Sequence, residues 1–239
     1  MRVAILGGTG GIGGQLLTWA LNSGHDVTAL VRNPAALAAQ AALADHGVLR
    51  DHGALAGQGA LAGRSTASAS GAGTLTLISG DATDGSAMRA AIDGADAVLS
   101  ALGPRGARTP GLLGTAAANL TVAMEKAGVR RVICVSAAGP FIADDPDMGA
   151  VIKMILPRVF AKPFADTRDM EAVISATDLD WTLVRASRLV DKPGTGRYRV
   201  RPDYAPAGGR KIARADVAHF MAAVLTEGSW LRARPAVAY

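Results

Sequence analysis

The stretch "VAILGGTGGIGGQLL", residues 3–17, decides how the rest of the chain is read. Four apolar residues lead into six glycines within the eight residues 7–14, after which an apolar pattern resumes. A buried strand at 2–6 followed by a helix at 11–23, ending near Gly24, leaves a turn between them with no room for side chains. The spacing is Gly7-x-x-Gly10-x-x-Gly13, and from Gly8 it also fits G-x-G-x-x-G. Gly7 permits the tight turn, and Gly10 and Gly11 let backbone approach a pyrophosphate. Gly13 lets the helix pack against the strand. The free N–H groups and partial positive charge of the helix N-terminus complete an anion site. A Gly motif alone is weak; its place after a strand and at the start of a helix gives it weight.

The pattern downstream supports that context. Apolar or β-branched runs recur at 26–31, 74–78, 96–100, 130–135 and 180–184. Helical stretches are predicted between them at 34–46, 84–92, 110–127 and 166–177, then at 213–226. "RPAVAY" (234–239) closes the chain as an edge strand, and Gly24, Gly94 and Gly128 fall where helix C-caps belong. Continuous apolar strands alternating with helices predict an α/β fold: a doubly wound parallel sheet, the Rossmann arrangement, in one domain with a small C-terminal substrate-binding portion. Residues 47–73, rich in Ala, Gly and Ser, read as a flexible excursion; helical continuation through Leu43, Leu49, Leu55 and Leu61 is the rival.

Bulk properties narrow the function classes. At 239 residues with 49% hydrophobic content, the chain can bury a sizeable core. The one cysteine, Cys134, makes no internal disulfide and suits a reducing compartment. No signal peptide is visible and no apolar run approaches ~18 residues, so a soluble, cytoplasmic protein with no membrane segment is expected. The net charge of +5 is unevenly spread. Between Arg185 and Arg214 nine bases face two acids, which makes that segment +7 and leaves −2 for the rest. With only 4% aromatic residues, a base-stacking surface is not expected, and no nucleic-acid partner is predicted. The concentrated charge suits an anionic small molecule. Arg185, Arg188, Lys192, Arg197 and Arg105 are its candidate partners, with a solvated basic surface as the alternative. Subunit number has no signature here.

The second strand refines the nucleotide. An acid about 20 residues after the glycines would bind the ribose hydroxyls of NAD. The strand ends Leu30-Val31-Arg32-Asn33, without a carboxylate. Arg32 can meet a 2′-phosphate, which favours NADP(H), with NADPH preferred over NADH; a solvated surface Arg is the other reading.

At this point "ILGGTGGIG", "ALVRNP", "GDATD", "VLSALGPR", "CVSAAG", "DLDWTLVRAS" and "RADVAHFM" resemble, in that order, the atypical short-chain dehydrogenase/reductases. The likeness is strongest to the biliverdin-IXβ reductase/flavin reductase type and looser to NmrA-like proteins. It covers nearly the whole chain except 47–73, where those relatives have a much shorter connection. The resemblance implies that Gly7, Thr9, Gly10, Gly11, Ile12 and Gly13 line the pyrophosphate. It places Arg32 at the adenosine phosphate and Asp81 and Ala82 at the adenine. Leu102 and Gly103 would lie beneath the nicotinamide ribose, and Ser136 beside nicotinamide and substrate. A second basic residue four positions after Arg32 is Ala36 here, and the family's Pro-rich turn at the nicotinamide, after the sixth strand, is Ala186-Ser187-Arg188, which the resemblance places with Ala186 and Ser187 against the cofactor.

The Tyr-x-x-x-Lys pair of many short-chain dehydrogenases is missing: the tyrosines are Tyr198, Tyr204 and Tyr239, and none has a lysine four positions on. A hydride transfer that needs little help with protons survives that test, with the cofactor carrying the hydride and the protein supplying orientation. The expected function is NADPH-dependent reduction of a flat conjugated acceptor: a flavin, tetrapyrrole or quinone. Ser136 is read as a positioning hydrogen bonder, with a strand-end serine that satisfies backbone as the alternative. A non-catalytic, NmrA-like NADP(H) sensor is the second expectation; a sugar-nucleotide epimerase or dehydratase is disfavoured by the missing tyrosine. His25, His46, His52 and His219 pair at no metal-ligand spacing, so no metal is expected. Within 141–164, Phe141, Met148, Ile152, Met154, Ile155 and Phe160 read as a wall for an aromatic substrate, or as a packed helix or subunit contact. Asp144, Asp145 and Asp147 read as helix-start acids.

Overall fold

A computed structural model describes residues 1–34, 37, 64–68, 73–103 and 111–239. The strands are β1 (Arg2–Leu6), β2 (Asp26–Val31), β3 (Arg64–Ser68), β4 (Thr74–Ser79), β5 (Ala97–Ser100), β6 (Arg131–Ala137), β7 (Asp180–Ala186), β8 (Arg188–Val190), β9 (Arg199–Pro202), β10 (Lys211–Ala213) and β11 (Pro235–Ala238). The described helices are α1 (Gly11–Asn22), α2 (Gly85–Ile92), α3 (Leu112–Ala127), α4 (Ala150–Val159), α5 (Ala161–Ser175) and α6 (Arg214–Glu227).

Nine strands form the main sheet in the order β3-β4-β2-β1-β5-β6-β7-β11-β9. Pairing is parallel from β4 through β11, and the two outer strands, β3 and β9, run antiparallel to their neighbours. The order reverses between β1 and β5, and a crevice opens there at the strands' C-terminal ends. Both faces are covered. Val3 and Ile5 of β1 point into a core shared with Leu16 and Leu17 of α1 and Val217 and Met221 of α6. Ala4 and Leu6 point the other way, toward Met88 of α2, Leu120 of α3 and Met170 and Ile174 of α5. That two-sided burial is why the strands read as unbroken apolar runs.

The glycines after α1, α2 and α3 take the left-handed conformation, at φ +74 for Gly24, +69 for Gly94 and +69 for Gly128. Asp84 caps α2, its carboxylate accepting from Ser86 N at 2.8 Å. The N-terminus of α3 is capped by a residue far away in sequence: buried Asp166 on α5 accepts from Leu113 N and Gly114 N at 3.0 Å each.

Several expectations change. The chain-closing strand is interior, because β9 pairs antiparallel outside β11. Part of the excursion is regular structure, since β3 adds antiparallel to β4 along Arg64–Ser68. Helix α5 begins at Ala161 rather than 166. The acids 144–147 begin no helix: Asp145 is buried and accepts from Asp147 N at 3.1 Å, Asp147 pairs with Arg201, and α4 starts at Ala150. Ala36, His46, His52, Arg105, most of the helix expected at 34–46 and the rest of 47–72 lie outside the described residues.

Candidate functional site: two cavities that meet at strand β6

The first cavity, about 390 Å³, lies over the crevice between β1 and β5. Its floor is the glycine turn. Gly7 has φ +79, and its carbonyl accepts from Gly10 N at 2.9 Å. A Cβ on Gly7 would stand 2.7 Å from Ala101 O, so the turn and the strand β5 end meet with no space for a side chain. Gly13 does not face the cavity; it sits behind the turn, where a Cβ would stand 2.1 Å from Gly7 O. Gly7, Thr9, Gly10, Gly11 and Ile12 line the floor.

The walls come from the neighbouring strand ends. Exposed Arg32 follows β2, Asp81 and Ala82 follow β4, and Leu102 and Gly103 follow β5. Asp81 accepts from Thr83 N at 2.9 Å and Thr83 Oγ1 at 2.7 Å. Those two hydrogen bonds, aided by the Arg32 charge, hold its carboxyl below the usual carboxylate range. Asn119 Nδ2 donates to Ala82 O at 3.3 Å and Thr83 O at 2.8 Å, which ties this turn to α3.

Gly80 and Arg214 are among the lining residues that escaped the sequence reading. Gly80 lies so close to α2 that a Cβ would stand 2.4 Å from Ala87 Cβ. Arg214, the first residue of α6, crosses the mouth of the cavity: a Cβ on Gly11 would stand 2.6 Å from its Cδ. Its guanidinium is ion-paired at 2.5 Å to Asp191, whose side chain is 87% exposed. Gly11 and Arg214 lie at opposite ends of the chain, so only the packing of α6 beside α1 could reveal the pair.

The second cavity is larger, about 870 Å³, and mostly apolar. Ser136, Phe141, Ala186, Ser187 and Arg188 line it, as do Met148, Ile152 and Phe160. Met154 and Ile155 do not; they stand 55% and 49% exposed on α4. The apolar wall is thus made by four of the six residues expected of it. Tyr204 also lines this cavity, brought in by the turn after β9. In place of the family's Pro-rich turn, Ser187 N donates to Val237 O at 3.2 Å and Ser187 Oγ to Gly209 O at 3.3 Å.

The cavities adjoin. Consecutive residues of β6 face them, Val135 the first and Ser136 the second, and Leu189 lines both. Behind Ser136 lies a buried ionic network. Ser136 Oγ donates to Glu171 Oε1 at 2.5 Å. Arg185 grips the same carboxylate, Nε to Oε1 at 3.1 Å and Nη2 to Oε2 at 2.7 Å. Arg185 also donates to Asp203 O at 2.8 Å and lies 3.4 Å over the Phe141 ring. Arg234 Nε stands 3.4 Å from Glu171 Oε2. Arg185 therefore faces inward rather than toward a substrate anion: it is only 5% exposed, and its Nε, Nη1 and Nη2 each donate to a group inside the protein. Glu171 carried no sequence signal, being 35 residues from Ser136 on an ordinary helix.

The basic segment divides likewise. Arg199 donates to Ala207 O and Tyr239 O at 2.8 Å each, and Arg201 pairs with Asp147. Arg188, Arg210 and Lys211 gather around a basic depression that shares Arg188 and Arg210 with the second cavity. Among the described residues no group of three or more His, Cys, Asp and Glu is placed to hold a metal ion. None of their helices is long and apolar enough to cross a membrane.

Solved structures share this architecture. A Burkholderia pseudomallei protein described as exported is 25% identical with TM-score 0.69, and each chain covers 100% of the other. An anaerobillin reductase from Escherichia coli O157:H7 is 20% identical with TM-score 0.71, over 100% of this chain and 97% of that one. A short-chain dehydrogenase/reductase from Veillonella parvula DSM 2008, in complex with NADP, is 20% identical with TM-score 0.69, over 100% and 94%. The profile of one sequence family matches residues 60–228, from before β4 through α6, which is more than half of the chain. On that match, joined to a glycine turn at the reversal of a parallel sheet, the protein belongs to the NAD(P)H-binding family.

Proposed function

We propose that this protein is an NADPH-dependent reductase of a flat conjugated acceptor, a flavin, tetrapyrrole or quinone, working without a catalytic tyrosine of the Tyr-x-x-x-Lys kind. The observation that carries the reading is the junction at β6, where a glycine-floored cavity opens beside a large apolar one. The resemblance to the biliverdin-IXβ reductase/flavin reductase type supports it, as does the anaerobillin reductase among the structural neighbours.

The chain's residues fit the cofactor. Gly7 and Gly13 let the turn close where a Cβ would strike Ala101 O or Gly7 O, and Gly11 opens the first turn of α1, whose N-terminal amides have no partner within the helix. Gly7, Thr9, Gly10, Gly11 and Ile12 would hold the pyrophosphate, with Gly13 supporting the turn from behind. Arg32 would take the 2′-phosphate, the basis of the NADPH preference. Asp81 and Ala82 would border the adenine, and Leu102 and Gly103 the nicotinamide ribose. Bound there, the nicotinamide supplies the hydride. Phe141, Met148, Ile152 and Phe160 would stack and exclude water, and Arg188 would pair with an anionic group of the acceptor.

A second reading is a sensor that binds the cofactor without turnover. The apolar side chains on α4 favour it: Val151 is 64% and Val159 67% exposed, as a partner-binding face would be. Steady-state NADPH oxidation with FMN, biliverdin and quinones separates the two. Turnover on any of them supports the reductase; tight cofactor binding with no turnover supports the sensor.

A further inference from the structure

The buried network behind Ser136 decides which way its one proton points. Ser136 is 6% exposed and Glu171 3%. The serine hydroxyl donates to Glu171 Oε1 at 2.5 Å, and a hydroxyl has one proton to give. The carboxylate cannot turn away, because the Arg185 fork engages both its oxygens and Arg234 approaches the second. Arg185 in turn is pinned by Asp203 O and by the Phe141 ring. What Ser136 offers the cavity it lines is then a lone pair.

We propose that Ser136 recognises the acceptor as a hydrogen-bond acceptor, with Glu171 the positioning residue that sets this polarity, so that the molecule reduced here presents an N–H or O–H to Ser136. The inference rests on the reductase reading and narrows it: a flavin imide or a pyrrole N–H matches the site, whereas a plain quinone offers Ser136 only carbonyl oxygens and lone pair faces lone pair. It also removes Ser136 as a proton donor. A buried polar group left without its partner is costly, so discrimination of about tenfold or more is expected.

Oxidised lumiflavin carries a single N–H, at N3, which makes it the probe; 3-methyllumiflavin lacks it, and menadione has carbonyl oxygens alone. NADPH oxidation by the full chain is measured with each. The expected result is a kcat/KM for lumiflavin at least about tenfold above that for 3-methyllumiflavin and menadione. In Ser136→Ala, checked for native circular dichroism, the ratio of lumiflavin to its methyl derivative falls to within about twofold. Glu171→Gln presents an amide that can donate to Ser136 Oγ, which frees the hydroxyl proton for the cavity. The ratio then shifts toward menadione, and Glu171→Asp restores it toward lumiflavin. A merely structural role for Glu171 would lower all three rates together and leave the ratios unmoved. Equal turnover of lumiflavin and its methyl derivative, a preference that survives Ser136→Ala, or turnover of menadione alone overturns the inference while the reductase stands. No turnover on any of the three or on biliverdin overturns both.

Discussion

Gly13 lies directly beneath the carbonyl of Gly7: a Cβ on Gly13 would stand 2.1 Å from that oxygen and 2.7 Å from its carbon. Backbone on both sides leaves nothing flexible to yield. Gly13→Ala is expected to cost roughly 1–3 kcal/mol and to lower the urea midpoint. Gly14→Ala is its control. Its nearest neighbour, Gly8 O, would be 3.7 Å away, and Gly14 lies inside α1. There alanine is expected to stabilise by about 0.5–1 kcal/mol, relieving the entropy cost of a helical glycine. Equal melting curves for the two variants would refute this account of the turn.

Arg32 stands exposed at the rim of the first cavity, where an NAD-specific site would carry an acid. Arg32→Asp is expected to invert the NADPH-to-NADH affinity ratio in a calorimetric titration. An unchanged ratio would remove Arg32 from the phosphate site.

Arg214 is the cation that tertiary packing adds. Its stem crosses Gly11 and its guanidinium is within reach of any anion on the floor, at the expense of its exposed ion pair with Asp191. Arg214→Ala is expected to weaken NADPH binding by about tenfold or more, the scale of one hydrogen bond to a charged group. The loss shrinks as salt is raised. Asp191→Ala is expected to leave binding equal or tighter; weaker binding there would count against a free Arg214.

Glu171 is expected to matter more for stability than its one serine contact suggests. Removing it strands the Arg185 guanidinium, whose side chain is 6% exposed. Glu171→Ala is expected to cost about 3–5 kcal/mol by chemical denaturation. Replacing the pair together, Glu171→Leu with Arg185→Met, is expected to recover most of that loss. A double variant as unstable as the single one would show that the pair contributes more than the absence of an unpaired charge.

Alkaline pH tests the core. Burial pushes the Cys134 thiol up to about 12 from an ordinary 9.0. Burial first, then the Asp216 charge, raises the Tyr198 phenol to about 12 from 10.0. In both, the folded state holds its proton longer than the unfolded chain. Their contribution is intact below the unfolded value and is lost as pH climbs from about 9 toward 12. Stability is therefore expected to decline above pH 9 or so, with the Cys134→Ala variant declining less. Native Cys134 is expected to resist iodoacetamide at pH 8 and to react once unfolded. Prompt labelling of the native protein would contradict its burial.

The strands and the glycine turn were legible because they depend on neighbours in sequence. An apolar run long enough for a two-sided strand, then Gly7, Gly10 and Gly13 at turn spacing, carries its own geometry. The first cavity followed: Arg32, Asp81, Leu102 and Gly103 each sit just beyond a strand end, and in a parallel sheet all such ends come to one edge. Edge strands were less legible. β3 lies within an Ala/Gly/Ser-rich stretch whose composition argues for a loop, and its place is set by pairing with β4.

The chain's own order of residues thus determined the parallel sheet, the glycine turn and the edge of strand ends that lines the first cavity, since strand period, turn chemistry and helix dipole act over a few residues. Tertiary structure alone decided which charges are free. Arg185 and Arg188 are near neighbours with the same side chain, yet one is locked to Glu171 under Phe141 and the other opens onto the second cavity. Electrostatic partners meet through space, across 14 residues for Arg185 and Glu171 and 35 for Ser136 and Glu171, and no local pattern encodes such a meeting.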